Sequence, residues 1–161
     1  MDLPEGVLND SGKEFDPVRG YGWKGPNGEE ADFRKTGKGR FPAVRGNPGR
    51  DGPLRRSFVF AGSADHAETW VLPILNARYR VTICVGGGTV EQGPHHVQIE
   101  GKQVIDKVFT SAGVFLETKG IPIAVDDGEL TMIVGGSRSK TVSRDGTSDT
   151  VLYYIVIRKA P

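Results

Sequence analysis

Cysteine is almost absent from this chain, since Cys84 is the only one among its 161 residues. An intrachain disulfide is therefore impossible, and zinc sites built from paired cysteines are excluded. A chain of this length buries roughly 70% of the surface that its unfolded form exposes, so one domain can be stable without such links. We expect Cys84 to be an inert thiol in a strand, because its neighbours in the run offer no cation-rich setting for a thiolate.

Long apolar runs are missing as well. No run approaches the roughly 20 residues of a transmembrane helix, and residues 1–6 lack the cationic and apolar regions of a signal peptide. We therefore expect no membrane partner. Two interpretations follow: the chain is intracellular, or, as we expect, it is a piece of a larger exported protein, extracellular or at the cell surface, whose signal lies elsewhere.

The chain also lacks a recognisable catalytic constellation. No G-x-S-x-G motif is present, and His66 with its acidic neighbours Asp65 and Glu68 has no nucleophile motif to serve. His95 and His96 open a strand side by side, and strand alternation points them to opposite faces, so they cannot easily chelate one metal together. The sequence predicts a protein that is not an enzyme, in which one of these two histidines could donate a hydrogen bond to a ligand hydroxyl or stay locally bonded.

Acidic residues are scarce in residues 34–56, which form a basic stretch, although the formal net charge of the whole chain is only +1. This near-neutral charge argues against a nucleic-acid partner, which would need wider basic coverage. The stretch is either a solvated loop or a site where arginine forks pair with uronate carboxylates or sulfates, with Arg138 and Arg144 contributing from a later loop. Its basic residues are Arg34, Lys35, Lys38, Arg40, Arg45, Arg50, Arg55 and Arg56, against Asp51 alone.

The chain does contain a regular series of short β-branched runs cut by glycine turns. Eight or nine strands and no convincing helix predict an all-β, antiparallel two-sheet sandwich, most simply a jelly roll. The runs are Arg56–Phe60, Glu68–Leu72, Arg78–Val85, His95–Glu100, Gln103–Ile105, Gly120–Val125, Glu129–Val134 and Val151–Ile157.

Details of these runs predict where the strands lie. Alternation in β-strands puts Tyr79, Val81, Ile83 and Val85 on one face. Pro122 lacks a donor and predicts an edge strand or a bulge, whereas the last run is apolar at both parities and predicts a central strand. Two tight hairpins are expected, one at Gly101-Lys102 and one at Asp126-Asp127-Gly128.

The N-terminal third has a different composition. Residues 1–53 are rich in glycine and proline, with an expected edge strand near Glu14 to Val18. We expect residues 1–161 to form a single domain, with this stretch packed on the sandwich or leading into it.

Six segments, in their order and spacing, resemble a known family. They are Arg19–Trp23, Leu54–Phe60, Leu75–Val81, His96–Lys102, Val125–Leu130 and Leu152–Ile157. Together they are similar to the malectin-like, galactose-binding-like β-sandwich found beside rhamnogalacturonan acetylesterases and polysaccharide lyases. The resemblance implies a non-catalytic carbohydrate-binding module, which binds a plant or algal polysaccharide, acidic ones included, and keeps an attached glycan-active enzyme near its substrate.

A sugar site needs an aromatic face for stacking and polar side chains for the hydroxyls. Tyr21 and Trp23 are the candidates for stacking, because they lie in a glycine-flanked segment before the sandwich; the alternative is that they cap its core. Trp70, in contrast, is expected to pack in the core or the sheet. The candidates for polar contacts are Arg34, Arg55, His95, His96 and Arg138.

The sequence also allows a structural calcium ion and a function other than sugar binding. Some members of the resembled family carry structural calcium, and Glu14, Asp16 and Asp149 could be gathered from the two ends of the chain, but no Asp-x-Asp-x-Asp loop exists here. The alternative function is a structural or protein-interaction sandwich of a larger exported protein, with no glycan ligand.

Overall fold

A computed structural model describes residues 8, 13–24, 59–62, 64–141 and 150–161. These residues form nine β-strands and no helix, so none of them belongs to a helix that could span a membrane. The strands are β1 (Gly22–Lys24), β2 (Val59–Ala61), β3 (Ala67–Pro73), β4 (Ala77–Gly86), β5 (Gln92–Ile99), β6 (Lys102–Thr110), β7 (Phe115–Val125), β8 (Glu129–Gly135) and β9 (Thr150–Lys159).

The strands form two sheets, which confirms the predicted all-β, antiparallel two-sheet sandwich. The five-stranded sheet has the order β1-β3-β8-β5-β6, and the four-stranded sheet has the order β2-β9-β4-β7. Every pairing between these nine strands is antiparallel. Among the described strands, β5 and β6 are the one consecutive pair that stays in the same sheet as hydrogen-bonded neighbours, so the chain crosses repeatedly between the layers, as in a jelly roll. The hairpin predicted at Asp126-Asp127-Gly128 is therefore wrong, because β7 and β8 on either side of this turn lie in different sheets.

Three predictions about strand position are confirmed. β9 lies between β2 and β4, as its apolar run predicts, and β7, which carries Pro122, lies at the edge of its sheet. On β4, Tyr79, Val81, Ile83 and Val85 are all buried and belong to the core between the sheets. The residues that alternate with these four on β4 therefore lie on the outer face of the four-stranded sheet.

The β5–β6 hairpin differs from the prediction by one residue. Ile99 pairs with Lys102, so the two loop residues are Glu100 and Gly101 rather than Gly101 and Lys102. Their φ angles are 48° and 69°. A two-residue loop of this kind needs positive φ at both positions, because that twist matches the twist of the strands.

The N-terminal edge strand also lies later than predicted. Glu14 and Asp16 form only isolated bridges, to Trp23 and Tyr21, while the strand itself is β1. Asp16 Oδ1 accepts the backbone N–H of Val18 at 2.8 Å and closes a turn there. A Cβ on Gly22 would lie 2.5 Å from the carbonyl oxygen of Glu14, so only glycine lets the two segments approach this closely.

The predicted single domain over residues 1–161 stays a prediction. Residues 25–58, which include most of the predicted N-terminal stretch, lie outside the described residues. The described part before them, residues 13–24, joins the five-stranded sheet through β1.

Candidate functional site

The two aromatic residues predicted to stack on sugar lie in the core. Trp23 is 0% exposed and pairs directly with Trp70 across β1 and β3, and Tyr21 is 7% exposed. The ring centroids of Tyr21 and Trp70 are 6.5 Å apart, and the Arg19 guanidinium lies 5.0 Å from the Tyr21 centroid. Neither predicted ring offers a free face to a ligand, so their role in sugar stacking stays a prediction that this placement does not favour.

The adjacent histidines on β5 are buried and have different partners. His95 Nε2 lies 2.9 Å from Thr110 Oγ1 on β6, and the backbone N–H of Val151 on β9 donates to His95 Nδ1 at 3.5 Å. Burial lowers the pKa of His95 to about 4. The neutral ring thus joins the five-stranded sheet to the four-stranded one and has no exposed atoms for a ligand.

The His96 ring lies beside a carboxylate on the neighbouring strand. Its Nδ1 lies 3.2 Å from Asp106 Oδ1 on β6, while its backbone N–H donates to Thr150 Oγ1 at 3.1 Å. Burial lowers the pKa of His96, and the Asp106 carboxylate opposes that change. The predicted hydrogen bond from one of these histidines to a sugar hydroxyl stays a prediction.

The structure does not bring the described candidates together. Tyr21 and Trp23 belong to the β1 edge, and β1 is separated from the histidines on β5 by β3 and β8. Arg138 is exposed beyond the end of β8, where its backbone N–H donates to the Ala64 carbonyl at 2.7 Å. The predicted contributors Arg34, Arg55 and Arg144 lie outside the described residues.

The described carboxylates do not fit a calcium site. Within that part of the chain, no group of three or more His, Cys, Asp or Glu side chains is gathered as metal ligands. Asp16 Oδ1 is used in its own turn, and Asp149 lies outside the described residues. A hard cation such as Ca²⁺ needs several oxygen ligands, so Glu14 and Asp16 alone cannot supply them.

Sequence reasoning missed an aromatic cluster on the outer face of the four-stranded sheet. Phe115 pairs with Gly86 and contacts Tyr153 edge-on, with ring centroids 4.9 Å apart and planes at 74°. A Cβ on Gly87 would lie 2.2 Å from the Phe115 ring, so the ring packs directly on the glycine backbone. Phe115 and Tyr153 are half-buried and lie outside the core cluster.

Next to this cluster, a second set of paired residues lies across the same sheet, with Cys84 in the middle. Tyr154 on β9 and Glu117 on β7 both pair with Cys84, one from each side. The Tyr154 hydroxyl donates to Glu117 Oε2, so the two long side chains meet above the small thiol. Cys84 is consequently 0% exposed although it belongs to the outer face. We name Phe115, Tyr153, Tyr154 and Glu117 the aromatic platform.

We expect Cys84 to report on this bridge. In the native protein the thiol should react with a disulfide reagent only on unfolding, because Tyr154 and Glu117 cover it. Tyr154→Ala removes the cover, so native-state labelling should accelerate at least about tenfold. Val18→Ala, at a side chain that is 95% exposed, is the matched control and should leave the rate unchanged. Equal rates in the native protein and Tyr154→Ala would contradict this account of the burial.

Further along the same face lies a group of positive charges. Arg80 on β4 pairs directly with Arg158 on β9, and Arg78 lies two residues before Arg80 on the same face. Lys119 on β7 is also exposed, beside the register shift between Val81 and Ile83. We name Arg78, Arg80, Lys119 and Arg158 the basic patch. Within the described part of the chain, no carboxylate forms an ion pair with any of the four.

The sequence carries partial signals for both features. Arg78 and Arg80 alternate with the buried residues of β4, and this alternation alone predicts that they face outward. Nothing in the single sequence, however, aligns Arg80 with Arg158 or Tyr154 with Glu117. Those neighbours depend on the register of strands that are distant in the chain.

Comparison with known proteins supports the fold. No protein-family model and no curated protein matches the chain. The solved structure of protein YXIM from Bacillus subtilis is similar over 99% of the chain and 37% of its own length, with a TM-score of 0.53 and 17% identity. At this identity the likeness extends to the β-sandwich fold alone.

Two further structures match over shorter stretches. β-Glucuronidase 2 of Bacteroides uniformis matches 73% of the chain and 12% of its own length, with a TM-score of 0.49 and 16% identity. A CBM35 structure from Paenibacillus barcinonensis matches 68% of the chain and 84% of its own length, with a TM-score of 0.40 and 14% identity. The chain thus spans well under two thirds of protein YXIM and of the glucuronidase.

Proposed function

We propose that the chain is a non-catalytic carbohydrate-binding module that holds a polysaccharide on the outer face of its four-stranded sheet. The observation that carries this proposal is the aromatic platform, where half-buried rings outside the core share one face with a carboxylate. Aromatic rings have a large apolar surface and Tyr adds a polar end, which suits the alternating C–H and hydroxyl surfaces of a sugar.

The shape of this face suits an extended ligand. Gly86 and Arg78 mark the two ends of the face along β4, and eight residues of strand span roughly 26 Å. Cys84 and Gly86 are small, so side chains from the flanking strands meet above the central strand and form a nearly continuous surface. A polysaccharide can lie along such a surface without needing a deep pocket.

The same face is poorly equipped for hydrolysis. Most glycosidases use a pair of carboxyl groups that flank the scissile bond. Within the described residues, the platform contains one carboxylate, Glu117, and it already accepts a hydrogen bond from Tyr154. Binding without turnover is therefore the activity that we assign.

The resemblance to the malectin-like, galactose-binding-like β-sandwich supports a more specific version of this proposal. In that version the ligand is a plant or algal polysaccharide and the module lies in an exported protein, where it keeps an attached enzyme near its substrate. Residues 1–53 would belong to the same single domain.

The test is affinity electrophoresis of the native protein and Tyr154→Ala against plant and algal polysaccharides, both neutral and acidic. Loss of the ring should weaken binding at least about tenfold, which corresponds to about 1.4 kcal/mol. Val18→Ser changes an exposed apolar side chain distant from the platform and should bind normally. Equal retardation of folded Tyr154→Ala and the native protein would reject the platform as the site.

A second candidate function, protein interaction, is favoured by a groove at one end of the sandwich. The groove has a volume of about 810 Å³ and is lined by Pro73, Ile74, Leu75, Asn76, Gly128 and Lys159. Leu75 is 76% exposed, so it offers an apolar contact that the fold itself does not use. If no polysaccharide retards the folded protein, this alternative becomes the leading one.

A further inference from the structure

We infer that the basic patch is a subsite for the anionic groups of an acidic polysaccharide, either uronate carboxylates or sulfate esters. This inference rests on the proposed function and specifies its ligand class. It places the charge recognition on β4 and β9, whereas the sequence suggests the segment around Arg34 and Arg55.

Arg80 and Arg158 bring two positive charges to one row of the four-stranded sheet. Directly opposite residues in an antiparallel sheet have Cβ atoms roughly 5 Å apart, and like charges in that arrangement repel. In the described part of the chain, no carboxylate lies within ion-pair distance of either guanidinium. An anion bound on this row of the sheet would be attracted by both positive charges, Arg158 on β9 and the Arg80 guanidinium on the side of β7.

The Arg80 guanidinium is held in one orientation by a backbone carbonyl. Its Nη1 donates to the Gly120 carbonyl at 3.3 Å, which holds the guanidinium toward β7, and no other acceptor in the described part of the chain bonds to it. A guanidinium presents parallel donors that match the two oxygens of a carboxylate or sulfate. A partly positioned fork loses less conformational entropy when it binds such a group.

The carboxylate of the aromatic platform lies away from the two arginines. On this face Glu117 lies beside Cys84, four residues along β4 from Arg80, which is roughly 13 Å. This is the separation of the backbone positions, and among the described residues no ion pair joins Glu117 to either arginine. Glu117 therefore does not neutralise the arginine pair.

The patch and the platform form one continuous surface. Between Arg80 and Cys84 on β4 lies Thr82, which pairs with Val156 on β9. A polysaccharide that stacks on Tyr154 and runs along β4 therefore passes Arg80 within a few strand residues. One chain of sugars can contact the rings through its apolar faces and the arginines through its acidic groups.

The experiment compares matched polysaccharides that differ only in charge: polygalacturonate with its methyl ester, and dextran sulfate with dextran. The native protein should bind at least one acidic member at least about tenfold more tightly than its neutral partner. The double variant Arg80→Gln/Arg158→Gln should lose this preference, and so should the native protein in high salt. Lys107→Gln removes one positive charge from β6, in the other sheet, and should keep the preference.

The two acidic ligands distinguish the carboxylate from the sulfate as the recognised group. Equal binding of charged and neutral partners, or an unchanged preference in the folded double variant, would overturn the inference and leave the proposed function standing. No binding to any polysaccharide would reject the proposed function together with the inference. Binding of a DNA oligonucleotide that depends on Arg80 and Arg158, without binding of either acidic polysaccharide, would also overturn it.

Discussion

Replacing Trp23 with Ala should lower the free energy of unfolding by about 4 kcal/mol, the largest effect that we expect from a single substitution in this protein. The Trp23 side chain is 0% exposed and is the largest of the fully buried side chains. Its removal takes apolar surface out of the core and leaves a cavity beside Trp70, its partner across the strand pair. Chemical denaturation of the native protein and the variant measures the difference.

Two further variants identify the cause of this loss. Trp23→Phe keeps an aromatic ring in the site and should recover part of the stability, because it leaves a smaller cavity. Val18→Ala, at a position that is 95% exposed, should change stability by less than about 0.5 kcal/mol. A folded Trp23→Ala protein that has native stability but no polysaccharide binding would instead assign Trp23 to the ligand site.

The second large effect is a loss of stability in acid that depends on His95. Its pKa in the folded protein is about 4, below the usual 6.5, so the unfolded chain binds a proton more readily than the folded one. The neutral His95 ring therefore makes its full contribution to the free energy of unfolding above pH 6.5. This contribution decreases as the pH falls toward about 4, because unfolding then takes up a proton. The difference between the two pKa values corresponds to a decrease of about 3 kcal/mol in the free energy of unfolding.

His95→Gln tests this assignment because glutamine is uncharged across the range. Urea unfolding at neutral pH and near pH 4 should show a smaller loss in the variant than in the native protein. Burial raises the pKa of Glu68 and Glu100, which makes folding take up protons and contributes the opposite pH dependence in both proteins. If the free energy of unfolding falls equally in acid for the native protein and His95→Gln, His95 is not the responsible group.

The sequence predicts the strands best where apolar residues alternate or cluster. β4, β8 and β9 follow their runs closely, whereas β6 and β7 extend beyond the predicted segments. Both strands lie at the edge of a sheet, and their additional residues interrupt the apolar pattern with charges. These charged residues include Asp106, Lys107, Glu117 and Lys119. Charged residues are tolerated there because one side of an edge strand faces water.

The site is less predictable than the fold for a physical reason. Tyr21 and Trp23 belong to a glycine-rich segment, and such a segment does not reveal that Gly22 packs against Glu14 while both rings turn inward. The aromatic platform requires that Tyr154 and Glu117 flank Cys84. That arrangement comes from the pairing of three strands and from the register of each, which one sequence does not specify.

The edge position of β7 has a consequence for the behaviour of the protein at high concentration. Pro122 offers no N–H to a new neighbour, and the register shift near Lys119 interrupts the regular ladder of the strand. An additional strand from another molecule would meet a missing donor, a bulge and a positive charge along this edge. The four-stranded sheet is thereby protected at β7 from growing into an intermolecular sheet, so the proposed binding face beside it can stay exposed to solvent without promoting self-association.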